Sequence, residues 1–427
     1  MTDISGSQSN RLVFFGWWVV FASFFGMLFG SYSVFIGVTF SLFVKPLEAA
    51  FGWTRTEISL ALTLCTYTIV VLAPFMGELI DRYGARRILL TSMALLGFAI
   101  AGLSQLTESL WLLYALYLFI ALVGSGTIPT TFSRALLNWF DRKRGLALGI
   151  ALSGIGLASI ILPPLIQHSI STLGWRVTYL AMGASVVLLA WPVVFFWFRD
   201  QPSAMGLQPD GTLDESGSSW VADQGTPGLS LAEALKAGDF WLIFSAFVLL
   251  GLGGTGILIH LMAMLTDRGM SPSSAAYVFS LFGLTVILGR VSCGYLVDRY
   301  FAPHVAIVFL AGPAAGIALL ALDSGTSGVY LAAVLLGLGL GAEFDLLSYF
   351  ISRYLGLKVY GKIYGLMYSA FSLGAGIGPL LMGLSYDRLG DYTVGLWCLF
   401  AAVCGAVVLI SRLGNYRFGV ADSIGSA

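Results

Sequence analysis

Twelve long segments without a charged residue restrict how this chain can fold more than any other feature. Each is at least 19 residues long, and they cover 12–44, 58–77, 88–107, 109–133, 145–175, 177–198, 240–266, 269–289, 300–322, 324–342, 363–386 and 392–411. About 20 apolar residues in a helix span a bilayer. Outer-membrane strands are shorter, roughly 10 residues, and alternate in polarity. The segments therefore predict an all-α membrane protein with twelve transmembrane helices.

Composition supports this prediction, because 58% of the residues are hydrophobic and 10% are charged. A soluble domain carries about 25% charged residues. The lipid bilayer is therefore the expected partner, and the hydrophobicity argues against nucleic acid. If the N-terminus is cytoplasmic, fifteen of the 22 Lys and Arg residues lie on that side and five on the other. The positive-inside rule then predicts an inner or plasma membrane protein with both termini in the cytoplasm.

A charged turn between apolar segments occurs twice, about half a chain apart. The pattern G-x-L-x-D-R-Y recurs 217 positions later, matching Gly77, Leu79, Asp81, Arg82 and Tyr83 with Gly294, Leu296, Asp298, Arg299 and Tyr300. The chain is therefore expected to consist of two homologous six-helix bundles. The predicted boundaries are an N-terminal tail 1–13, a first bundle 14–198, a linker 199–238, a second bundle 239–412 and a C-terminal tail 413–427.

The first of these turns, from Gly77 to Arg87, resembles the signature loop between the second and third helices of major facilitator superfamily transporters. The stretch Asn138 to Gly149 is similar to the helix 4 to helix 5 signature of the monocarboxylate porter branch. The resemblance implies transport by alternating access, with the repeated loop joining the two halves at the cytoplasmic side. The gating residues it implies are Gly77, Asp81, Arg82, Gly84, Arg86, Arg87, Asp298 and Arg299.

Ionisable groups at membrane depth are costly and usually functional. Arg290 lies eight residues before Asp298, about two turns inside the eighth segment. A guanidinium binds a carboxylate through a planar fork and stays charged when desolvated. The monocarboxylate porter branch has a carboxylate-binding arginine in helix 8, and the resemblance places Arg290 at that position. The alternative is that Arg290 pairs with an acidic residue of helix 10.

Helix 10 is expected to carry two such acids, Glu343 and Asp345. They lie about 200° apart on a helix and cannot face one cavity. We expect one to carry the coupled proton, with Glu343 slightly preferred, and the other to be a structural partner. His260 is a third candidate for proton transfer, or an interface residue. The candidate hydroxyl donors to a bound anion are Tyr32, Tyr349, Tyr364 and Tyr368.

These patterns favour a secondary transporter over an enzyme. The sequence carries no recognisable catalytic set, phosphate-binding loop or metal-ligand spacing, so we expect no cofactor. The preferred prediction is proton-coupled symport of a small organic anion, a mono- or dicarboxylate, by a functional monomer. The alternatives are a proton-driven exporter of amphipathic compounds, a carrier of cationic or zwitterionic solutes that uses Glu343 and Asp345, and a non-transporting membrane sensor.

Overall fold

A computed structural model gives the fold of residues 14–211 and 227–418. The predicted N-terminal tail 1–13, the middle of the linker and the last nine residues lie outside the described residues. In the described ranges the regular structure is helical, apart from one isolated antiparallel bridge between Gly228 and Gly356.

Eleven continuous helical stretches among the described residues are long and apolar enough to cross a membrane. The longest, Arg144–Trp197, breaks at Gly174, where φ is +82° and ψ is 163°. Only glycine adopts this conformation readily. The stretch therefore supplies two spans, and the twelve predicted helices are confirmed. We number them α1 Gly16–Thr39, α2 Arg55–Tyr83, α3 Ala85–Gly102, α4 Leu110–Trp139, α5 144–173, α6 175–197, α7 Gly238–Asp267, α8 Pro272–Val297, α9 Ala302–Ala321, α10 Gly325–Leu355, α11 Tyr360–Leu389 and α12 Thr393–Ser411.

Helices α1 and α4 are interrupted near the middle of their length, at points that contact each other. In α4 the chain is extended at Ile128, and Pro129 opens the second part of the helix. Proline is favoured there because its missing N–H would have no helical acceptor. Ser31 Oγ donates to the Thr127 carbonyl at 3.1 Å, and Thr127 Oγ1 accepts the Tyr32 N–H at 2.9 Å. At each break, a side-chain hydroxyl therefore forms a hydrogen bond with a backbone group of the other break.

The two halves pack closely along α2 with α11 and along α5 with α8. A Cβ added at Gly77 would overlap the Gly361 carbonyl, and one added at Gly145 would overlap the Gly294 carbonyl. Gly77 and Gly294 are the matching first residues of the repeated turn. Glycine is required at both because the backbones themselves touch.

The end of the linker is ordered by a capping box. Glu233 Oε2 accepts the Ser230 N–H at 2.7 Å, and Ser230 Oγ accepts the Glu233 N–H at 3.4 Å. These bonds satisfy donors at the start of the helix Leu231–Lys236. Ser230 and Glu233, three residues apart, have the spacing typical of such a box.

Candidate transport site

The repeated turns lie at one end of the bundle, which we call the gate end. There the carboxylate of Asp81 accepts the backbone N–H groups of Gly361 at 3.0 Å and Lys362 at 3.1 Å. These two residues start α11, so a carboxylate from the first half caps a helix of the second half. Arg134 on α4 adds an ion pair to Asp81 at 3.4 Å.

Asp298 makes the corresponding contact in the opposite direction. Its two carboxylate oxygens accept the N–H groups of Gly145 at 2.7 Å and Leu146 at 2.8 Å, at the start of α5. Burial raises the pKa of Asp298 to about 6, although both N–H bonds act against that rise. Each half therefore closes on the other through one aspartate of the repeated turn.

A third contact between the halves at the gate end was not expected from the sequence. Arg353 near the end of α10 contacts Asp141 in the loop after α4, with Nη1 at 3.3 Å from a carboxylate oxygen and Nη2 at 3.1 Å from the carbonyl. The linker residue Asp210 accepts the N–H groups of Asp141 and Arg142 at 3.0 and 2.8 Å. The loop, the linker and α10 are thus tied together.

Other residues of the predicted gate act within their own half. Asp200, after α6, accepts the Arg86 N–H at 2.6 Å and lies against Gly84, so it caps α3. Burial raises the pKa of Asp200. Three arginines of the predicted gate are exposed, and among the described residues they make no ion pair or hydrogen bond to the other half: Arg82, Arg87 and Arg299.

Deeper in the bundle, Arg290 on α8 pairs with Asp345 on α10. Arg290 Nη1 lies 3.3 Å from Asp345 Oδ1, and the two side chains are 7% and 2% exposed. Arg290 Nε and Asp345 Oδ2 are buried without a hydrogen bond among the described residues. The pair therefore keeps a free donor and a free acceptor, although a buried charge normally needs all its partners.

Glu343 lies near the same guanidinium but faces a different helix. It is 4% exposed, interacts electrostatically with Arg290 and lies against Gly254 on α7. It forms no ion pair within the part of the chain that the structure describes. The predicted divergence of Glu343 and Asp345 on α10 agrees with this geometry. The group contains two acids and one guanidinium.

The tyrosine candidates fall into two places. Tyr364 and Tyr368 lie one turn apart on α11, Tyr364 near Asp345 of the second half and Tyr368 near Ser33 of the first half. Tyr32 on α1 is buried close to Tyr368. Tyr349 instead lies beside Arg353, whose guanidinium carbon is 5.2 Å from the centre of the Tyr349 ring. Tyr349 therefore belongs to the gate end.

His260 lies apart from the buried charges. Its Nε2 is 3.1 Å from the Pro379 carbonyl, and its ring is 5.7 Å from that of Tyr392. A helix rises about 1.5 Å per residue, so His260 lies about 30 Å along α7 from the start of that helix, which is at the gate end. Arg290 lies only about 10 Å from the gate end, where α8 finishes. The structure therefore does not bring His260 to the acid pair.

The sequence profile described as Major Facilitator Superfamily matches residues 20–379. The chain belongs to this superfamily. It is 28% identical over 408 residues to monocarboxylate transporter 13 of Bos taurus, covering 92% of this chain and 87% of that protein. It is 26% identical to monocarboxylate transporter 11 of Homo sapiens, covering 88% of this chain and 79% of that protein.

Solved transporters share the fold. The Escherichia coli fucose:proton symporter FucP superposes with a TM-score of 0.69 at 17% identity, covering 93% of this chain and 97% of that one. The proton:xylose symporter XylE gives 0.71 at 14% identity, covering 94% and 96%. Together with the family match, these findings identify a multi-pass transport protein and not an enzyme.

Proposed function

We propose that this transporter carries a small organic anion together with a proton, by alternating access. The observation that supports this is the buried Arg290–Asp345 pair. Within the residues that the structure describes, a single bond holds it, and Arg290 Nε and Asp345 Oδ2 have no hydrogen-bond partner. A guanidinium in this position can exchange one carboxylate for another.

The proposed step is a competition for Arg290. In a site of low dielectric, burying a charge without a partner is strongly unfavourable. When Asp345 takes up a proton it becomes neutral, and the guanidinium is left to bind the carboxylate of the substrate. When the substrate leaves, Asp345 gives up its proton and pairs with Arg290 again. Anion and proton therefore bind together, and Arg290 keeps one negative partner throughout.

Asp345 is the proton carrier in this proposal, whereas the sequence alone favoured Glu343. The reason is contact, because Asp345 bonds directly to Arg290 and Glu343 only lies within electrostatic range of it. Glu343 is a second acid beside the pair. We assign it to the contact with α7, where it lies against Gly254.

The gate end is proposed to face the cytoplasm, because fifteen of the 22 basic residues lie on that side of the predicted topology. The described conformation, with Asp81 and Asp298 bonded to the opposite halves, is then closed toward the cytoplasm. The transport cycle must break these bonds to release the substrate inside.

The test is uptake of labelled acids by the purified protein in liposomes with an imposed pH gradient. We expect monocarboxylates to accumulate when the outside is acidic, and a protonophore to abolish that accumulation. Uptake that a protonophore leaves unchanged would contradict proton symport. Uptake of cations and not anions would instead support a site in which Glu343 and Asp345 bind the solute directly.

A further inference from the structure

The last turn of α10, Ile351–Leu355, is a π-helical turn, and one of its carbonyl groups is bonded by a distant part of the chain. Gly356 ends the helix with φ +82° and ψ −171°, a conformation that glycine alone adopts readily. The Arg353 carbonyl accepts the N–H groups of Arg417 at 3.1 Å and Phe418 at 2.9 Å. A helix end leaves carbonyl groups without intrahelical donors, and here residues after α12 supply two donors to one of them.

We call Gly414–Phe418 the tail segment, and it is anchored to three helices of the second half. The Tyr354 hydroxyl of α10 donates to the first carbonyl of the segment at 2.7 Å. Arg417 Nε lies 2.7 Å from Asp239 Oδ2 at the start of α7. Tyr416 Oη accepts the first N–H of α9 at 2.7 Å. All three contacts are at the gate end, so the tail segment joins the gate ends of α7, α9 and α10.

The linker binds the same turn at the end of α10. The Leu357 N–H donates to the Pro227 carbonyl at 2.9 Å, and the Leu229 N–H donates to the Leu355 carbonyl at 2.9 Å. These two bonds flank the isolated bridge between the linker and the turn. The backbone around Arg353 is therefore ordered by the linker and the tail segment together, and not by the helix alone.

The side chain of Arg353 reaches the first half from this turn. Its Nη1 lies 3.3 Å from the Asp141 carboxylate, its Nη2 lies 3.1 Å from the Asp141 carbonyl, and the side chain is 6% exposed. Arg353 is thus bonded to the tail segment through its carbonyl and to the first half through its guanidinium. Ordering the backbone in advance removes part of the conformational entropy that a contact must otherwise offset. The contact with the tail segment and the contact with Asp141 therefore stabilise each other.

We propose that the tail segment positions Arg353 and thereby stabilises the closed gate end. Coupling between two contacts is reciprocal. Loss of the anchors of the tail segment therefore weakens the pair with Asp141, and breaking that pair during transport loosens the tail segment. The inference needs neither an identified substrate nor a coupled proton, so it holds or fails independently of the proposed function.

The experiment measures the distance between spin labels on the two halves of the full chain, without added solute. The labels are placed at Tyr83→Cys and Tyr300→Cys, which are exposed and end the equivalent turns of the two halves. The accessible Cys398 and Cys404 are first replaced by alanine. A longer-distance population then reports molecules in which the gate end is open.

The tail segment is weakened by the double variant Tyr354→Phe with Arg417→Ala, which removes two of its anchors. The loss of one neutral hydrogen bond and one partly exposed ion pair should raise the ratio of open to closed molecules about three- to tenfold. Arg417→Ala alone changes a side chain that is 44% exposed and should give a smaller rise, so the test does not depend on the stability of the double variant. The control is Arg412→Ala, the same change at an exposed arginine that forms no ion pair in the part of the chain that the structure describes. The control should leave the ratio unchanged.

The role of Arg353 is separated from general destabilisation by repeating the comparison in Arg353→Gln. This variant keeps the carbonyl that the tail segment binds and loses the guanidinium that binds Asp141. In that background the double variant should change the ratio by less than about twofold, because contacts that act through one residue are not additive. Unchanged distances in the double variant would overturn the inference, and so would an equal rise with and without Arg353→Gln.

Discussion

The change Asp81→Asn tests the gate, because it alters one contact between the halves without changing the size of the side chain. The carboxylate accepts two N–H groups at the start of α11 and pairs with Arg134. An asparagine has one acceptor oxygen and presents an NH₂ group to the second donor and to the buried Arg134.

The magnitude follows from these contacts. A hydrogen bond to a charged group contributes about 1.5–3 kcal/mol. The weaker contact with Arg134 further reduces the stability of the closed gate. We therefore expect the closed gate to lose about 2–4 kcal/mol relative to the open one. That corresponds to a change of roughly 30-fold to 1,000-fold in the ratio of closed to open molecules.

The assay is the distance between spin labels on the two halves. Tyr83 at the end of α2 and Lys358 before α11 are exposed and suit replacement by cysteine, after the accessible Cys398 and Cys404 are replaced by alanine. Asp81→Asn should add a longer-distance population and slow substrate exchange, with a smaller effect on affinity.

The matched control is Glu78→Gln, the same chemical change one turn earlier on α2. Glu78 is 57% exposed and pairs with Lys362 at 2.7 Å. An exposed pair of this kind contributes about 0.2–1 kcal/mol, so the distances should hardly change. The reasoning is refuted if Asp81→Asn leaves the distances as in the unmodified protein, or if Glu78→Gln shifts them equally.

Three further predictions concern the same end of the molecule. Because the pKa of Asp298 is raised to about 6, the stability that this residue contributes is present at low pH and lost as pH rises through 6. Between pH 5 and 7 the melting temperature of Asp298→Asn should therefore depend less on pH than that of the unmodified protein. Gly294→Ala should open the gate in the same spin-label assay, since its Cβ would overlap the Gly145 carbonyl. Tyr416→Phe removes the acceptor of the Ala302 N–H at 2.7 Å and should lower the melting temperature by about 1–3 °C, whereas an unchanged value would exclude a role for this cap.

The fold and the positions of the gate aspartates follow from local sequence properties. Apolar length defines each helix, and the repeated turn marks Asp81 and Asp298 as equivalent. Their acceptor role depends on Gly361 and Gly145, which are 280 and 153 residues away from them. Contacts between residues so far apart in the sequence have no signature in the neighbouring residues. Only the packed structure therefore identifies the partners.

The same reason limits prediction of the buried site. Helical geometry correctly separates Glu343 from Asp345, but it does not say which of them meets α8, because that depends on how the helices are arranged around α10. Asp141 and Arg353, 212 residues apart, form a contact that the sequence analysis missed. Their only signal is a charge at the end of an apolar segment.

The central claim is that Asp345 and the substrate exchange places on Arg290, and Asp345→Asn tests it most directly. The variant leaves Arg290 without its anionic partner, so an anion should bind without a proton. In liposomes we predict that Asp345→Asn still exchanges labelled for unlabelled acid across the membrane, but no longer accumulates acid in response to a pH gradient. Accumulation driven by the gradient in Asp345→Asn at the rate of the unmodified protein would contradict the account.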